Sequence, residues 1–141
     1  MKERNKSTFV IGFVILAAAA VAAAGSRSFL GACVHEDGSF GSCHWAAQAV
    51  FGTALLMAAQ SASCLLQMDA SARKGIFLSM VFTAILGILL PRPLIGLCGM
   101  ATMSCRALMR PAMTVLFALM GILSAAGVFL ERNGITKDRE R

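Results

Sequence analysis

The chain has 141 residues, of which 57% are hydrophobic and only 14% charged, with a formal net charge of +6. A soluble domain of this size is about one-quarter charged and under half apolar, so one compact unit inside a lipid bilayer is expected rather than a water-soluble enzyme domain. The basic excess lies in termini and short connections, tyrosine is absent and there is one tryptophan, so a nucleic-acid-binding face with stacking platforms is excluded.

Four apolar runs follow in chain order, at 8–24, 46–66, 75–97 and 111–130. A spanning helix needs about 20 apolar residues, with about 17 as the lower limit. The first run, TFVIGFVILAAAAVAAA, stands at that limit. Preceded by MKERNK and followed by small residues, it has a rival reading as a cleavable signal peptide. Its alanine-rich stretch is longer than most signal cores, which favours a retained helix.

The second run is long enough to span and carries Gln48, Thr53, Gln60, Ser61 and Ser63. Polar side chains at membrane depth are expected to turn towards other helices, so this helix is expected at the centre of the bundle or against a partner. Cys64, near its inner end, reads as a buried, inert thiol. The third run is short up to Leu90 and then meets Pro91 and Pro93. It reaches full thickness only if the helix kinks and continues through Leu94 to Leu97. The fourth run is rich in Gly121, Ser124, Ala125 and Gly127, small residues that let helix backbones approach closely. The stretches 8–24, 46–66, 75–90 and 111–130 contain no Asp, Glu, Lys or Arg, so no intramembrane charge of the kind that marks an ion pathway is expected. The predicted fold is a single all-α membrane domain, a four-helix bundle made of two transmembrane hairpins.

The connections set the orientation. Lys2, Arg4, Lys6, Arg73, Lys74, Arg132, Lys137, Arg139 and Arg141 lie on one side, and Arg27, Arg92, Arg106 and Arg110 on the other. The positive-inside rule therefore places both termini in the cytoplasm and both cysteine-bearing loops outside. In each hairpin the second cysteine stands just before a helix, as a weak parallel repeat would place it.

The outer rim so defined holds Cys33, Cys43, Cys98 and Cys105. In an oxidising compartment, structural disulfides are the plain reading, with three connectivities open. Cys33 and Cys43 share a glycine-rich loop that can fold back. Cys98 and Cys105 on one straight helix would stand about 10 Å apart, beyond disulfide reach, so that segment must bend or the bonds must cross between loops. A second reading is thiol–quinone exchange. The layout of four helices and two outward cysteine loops is that of the quinone-linked disulfide oxidases. The Cys-x-x-Cys pair that favours exchange is absent, because the spacings are Cys-x9-Cys and Cys-x6-Cys.

A third reading is an extracytoplasmic soft-metal site. Cys98, Met100, Met103 and Cys105 offer thiolates and thioethers suited to copper, and His35 and His44 extend the choice to zinc or iron. Met109 and Met113 lie just beyond. The plain alternative is packing for the methionines and an interfacial place for His44 beside Trp45. Arg92, Arg106 and Arg110 could hold an anionic headgroup or a partner's carboxylate, although snorkelling explains them as simply. Glu36 and Asp37 in the first loop are candidate ion-pair partners for them.

Two blocks, GSCHWAAQAVFG and LIGLCGMATMSCRALMRPAM, resemble the small bacterial four-helix membrane proteins of the domain of unknown function family 4418. The matching positions are Cys43, His44, Trp45, Ala47, Gln48 and Ala49 in the first block. In the second they are Leu94, Ile95, Gly96, Cys98, Met103, Cys105, Arg106 and Pro111. Val50 departs from the pattern, which commonly has an acidic residue there. The resemblance implies the fold and an inner-membrane location. It carries no established activity, and its association with membrane transport systems, ABC-type permeases among them, implies an accessory role.

The leading expectation is a non-enzymatic accessory or assembly subunit whose small-residue helix faces dock against a membrane partner or a second copy. Gln48, Gln60, Arg106 and Arg110 are the partner-facing candidates. No cofactor is required by that reading, and the sequence shows no phosphate loop and no serine–histidine arrangement.

Overall fold

The computed structural model describes residues 6–28, 42–95 and 105–139, and within these ranges side chains are described except at 42, 43, 92, 93, 105, 106 and 134–139. Four α-helices make up the fold: α1 (Lys6–Arg27), α2 (Ser42–Leu66), α3 (Ala70–Leu89) and α4 (Arg110–Arg139). A π-helical turn, Leu90–Leu94, extends α3, and another, Cys105–Met109, leads into α4. Each helix contains a stretch long and apolar enough to cross a membrane. The outside is apolar as well. Phe13, Phe82, Ile122 and Phe129 are each about 60% exposed or more. In water such a surface would be a liability, whereas hydrocarbon solvates it and leaves every helix to satisfy its own backbone. The chain is a multi-pass membrane protein.

The helices run up and down, each against two neighbours. The densest packing lies within the hairpins α1/α2 and α3/α4, and the seams α2/α3 and α1/α4 are much thinner. No helix is central. The expectation that α2 would fill the middle fails because each of the four helices lines the core with a single stripe. Ile15, Ala19 and Ala22 come from α1, Val50, Ala54 and Met57 from α2, Phe77, Met80 and Ala84 from α3, and Met113, Phe117 and Met120 from α4.

The α3/α4 contact is a register of rings on glycines. Phe117 lies over Gly87 so closely that an added Cβ would stand 2.4 Å from the ring. Phe77 lies over Gly127 with the corresponding distance at 2.7 Å. Between these two contacts Ala84 faces Gly121, and the Ser124 hydroxyl points at Met80 Sδ, 3.8 Å away. The small residues of α4 thus do what membrane helices use them for, but the knobs they receive are phenylalanines. The α1/α2 contact is made differently. Alanines line the α1 side, and Ser61 Oγ donates to Gly12 O across the interface at 2.6 Å. Near the other end of this pair the Arg27 guanidinium lies over the Phe51 ring at 4.5 Å.

Helix α3 gains its length at its start. It begins at Ala70, ahead of the apolar run, and Ser71, Arg73 and Lys74 are helical. Pro91 and Pro93 lack an N–H, and the chain meets that loss with a wide turn closed by Ile95 N–H donating to Leu90 O. Ile95 is already extended, so the third helix stops there, and residues 96 and 97 lie outside the described ones. Helix α4 likewise overruns its apolar run and carries Glu131 with it. The connection Gln67–Asp69 joins α2 to α3, with Arg73 N–H bonded to Asp69 O. We call this end of the bundle the link end, and the opposite end, where α1 and the α3 extension finish, the distal end.

Candidate functional site

Of the residues singled out from the sequence, His44 and Arg110 stand at the helix starts of the distal end. Cys33, His35, Cys98, Met100 and Met103 lie outside the described residues. Cys43 is the second residue of α2, and Cys105 opens the π-helical turn before α4, with Arg106 next to it. The segment between Cys98 and Cys105, where a bend was expected, lies outside the described residues. His44 is partly buried and meets Trp45 edge to face, with ring centroids 5.7 Å apart. Trp45 is 64% exposed, as an aromatic ring at a helix start facing lipid or headgroups would be.

The methionines beyond the cysteines turn away from any rim site. Met109 and Met113 are wholly buried in the bundle core together with Met57, Met80 and Met120. They fill the space that the small residues and rings leave, the packing role that an unbranched thioether suits. Among the described residues no group of three or more His, Cys, Asp or Glu side chains is placed to hold a metal ion.

The polar side chains of α2 separate into two sets. Ser61 reaches α1, and Gln60 Nε2 donates to Ser79 Oγ of α3 at 2.8 Å. Thr53 and Ser63 instead return to carbonyls of their own helix, at Ala49 and Ala59. Gln48 is exposed. On its outer face α2 also exposes Gly52, Ala59 and Ser63, and a Cβ on Gly52 would meet nothing within 4 Å. The other partner-facing candidate with a described side chain, Arg110, is half-buried in the first turn of α4, and its Nε is fully enclosed.

At the link end the structure shows a cluster that the sequence reading missed. Arg73 and Glu131 are 7% and 4% exposed and form an ion pair, Nε to Oε1 at 2.9 Å and Nη2 to Oε2 at 3.3 Å. Arg73 Nη1 points at Gln67 O and Met68 O, 3.4 Å from each. Those carbonyls continue the open C-terminal end of α2, which lacks intrahelical partners. Cys64 is buried one turn before them, within electrostatic range of both charges. The apolar stretches 8–24, 46–66, 75–90 and 111–130 themselves carry no charge, as read, but α3 and α4 extend past them and bury one charge of each sign at the link end. The available signal was a lone acidic residue directly after the fourth run and an arginine two residues before the third. Counting Arg73 only as a topology charge hid it.

A family model for a domain of unknown function (DUF4418) matches residues 9–130. The chain belongs to the DUF4418 family. The match takes in all four apolar runs but for Thr8, with both cysteine-bearing segments of this DUF4418 protein, and it ends one residue before Glu131. No curated protein and no solved structure shows significant similarity to it.

Proposed function

We propose that this DUF4418 protein is a non-enzymatic accessory or assembly subunit of a bacterial inner-membrane complex, transport-associated and of the kind that serves an ABC-type permease. Both termini are assigned to the cytoplasm and the cysteine loops to the outer face, on the distribution of the thirteen basic residues.

The observation that carries the reading is the outer face of α2. Gln48, Gly52, Ala59 and Ser63 are exposed there and unused by internal packing, and they alternate with Leu55 and Leu56 on the same face. By contrast α3 and α4 present Leu78, Phe82, Ile85, Val115, Leu119 and Ile122 to the same surroundings. Lipid tails gain nothing from a small, polar helix face, whereas another helix packs on it closely and can bond to its amide. A docked helix of a partner subunit is the occupant that this composition suits.

The test is co-purification in mild detergent, with native mass measurement of the complex. Wild-type protein should carry a stoichiometric membrane partner, and Gly52→Leu with Gln48→Leu should release it without unfolding the bundle. An unchanged complex would remove α2 as the docking face. Metal content and the intact mass after alkylation, measured on the same sample, separate this reading from metal handling and from thiol–quinone exchange.

A further inference from the structure

We propose that Arg73 is a latch tying the Gln67–Asp69 connection to α4, that Glu131 positions it, and that its release uncovers the link end of the bundle at Cys64. The inference starts from how unevenly the helices are held. Within α3/α4 the rings of Phe77 and Phe117 are seated on Gly127 and Gly87. Within α1/α2 the Ser61 hydroxyl is bonded to Gly12 O and Leu65 packs on the Gly12 backbone. Contacts of this kind do not slide, because a ring seated on a glycine has no neighbouring seat of the same shape.

The α2/α3 seam is different. A connection of only three residues joins these two helices, yet they pack against each other far more sparsely than the partners within either hairpin. A side-chain bond across the seam joins Gln60 to Ser79, and Gln60 Oε1 is enclosed there without a partner. An enclosed amide oxygen left unpaired marks a poorly completed contact. At the end of the seam stands Arg73, and its guanidinium does two things at once. Nε and Nη2 bind the Glu131 carboxylate of α4, while Nη1 faces the carbonyls of Gln67 and Met68 in the connection that follows α2. The planar fork fixes these directions together, so the carboxylate that holds one edge also aims the other. Without Glu131 the buried cation has no counter-charge and is driven out towards water. The carbonyls of Gln67 and Met68 then lose their donor, and the connection just after Cys64 is freed.

Cys64 is the native reporter, being 3% exposed behind the latch. The experiment is N-ethylmaleimide alkylation of full-length protein in lipid nanodiscs, with the modified cysteine identified by peptide mass. Glu131→Gln should raise the Cys64 rate at least about tenfold, in line with the loss of a buried pair's partner. Arg73→Lys should give a smaller rise, since one ammonium cannot serve the carboxylate and both carbonyls. It also keeps the test open if the first variant does not fold. Gly87→Ala, which disturbs α3/α4 at the far end, should leave Cys64 protected. A wild-type rate in Glu131→Gln, or in Arg73→Lys should the first not fold, overturns the latch. Exposure of Cys64 by Gly87→Ala to the same extent also overturns it, by showing general loosening.

Discussion

The two hairpins of this bundle solve one problem by different means. Helices α3 and α4 approach through rings that sit on bare backbone, Phe117 on Gly87 and Phe77 on Gly127. Helices α1 and α2 approach through alanines and a hydroxyl-to-carbonyl bond, Ser61 to Gly12. The first arrangement concentrates shape complementarity at two points that admit no added atom. The second spreads it over many methyl groups, and its tightest point, Gly12, faces the flexible end of Leu65, with a Cβ-to-Cδ2 distance of 3.0 Å. In a bilayer, where lipid tails are as apolar as the core, packing quality replaces water exclusion as the main difference between helix contacts. The α3/α4 hairpin should therefore be the brittle half and the α1/α2 hairpin the tolerant one.

Phe117→Ala should break the comparison most. Removing a fully buried ring opens a cavity above Gly87, and a loss of about 3–5 kcal/mol is expected in reversible unfolding from detergent. The same measurement on Gly87→Ala should show a loss of about 1–3 kcal/mol, because the new methyl meets the Phe117 ring and a ring cannot give way as a chain end can. A smaller loss for Gly87→Ala than for Gly12→Ala would invert the assignment of brittle and tolerant halves. In α1/α2, Ser61→Ala should cost about 0.6 kcal/mol, the average for hydrogen bonds between membrane helices, and a double-mutant cycle would isolate it. Gly52→Ala adds a methyl where nothing stands within 4 Å, and helix propensity should make the isolated protein more stable by up to about 1 kcal/mol. If the same change weakens partner binding, stability and docking on α2 are separated in one variant.

The latch and the Phe–Gly contacts differ in kind as well. Buried ion pairs add little net stability but are costly to break on one side. The Arg73–Glu131 pair is thus better suited to specifying which elements meet at the link end than to strengthening it. Its guanidinium is where α3, α4 and the Gln67–Asp69 connection converge.

The amino-acid sequence alone determined the number of helices, their membrane character and the family. Four charge-poor runs of sufficient length leave few alternatives when backbone groups must bond internally. It also determined that Cys64 is a buried thiol and that small residues on α4 mark a close helix contact. Tertiary structure decided what those residues touch. Nothing in the spacing of Phe77, Gly87, Phe117 and Gly127 says that they pair across two helices, because antiparallel register is a property of the pair and not of either helix. Nor could hydropathy show that Met109 and Met113 belong to the core rather than to a rim of sulfur ligands, since a thioether suits both. The Arg73–Glu131 pair was least legible of all. Two residues 58 positions apart, each at the edge of an apolar run, read as solvated ends until the helices overrun those edges and bury both charges together.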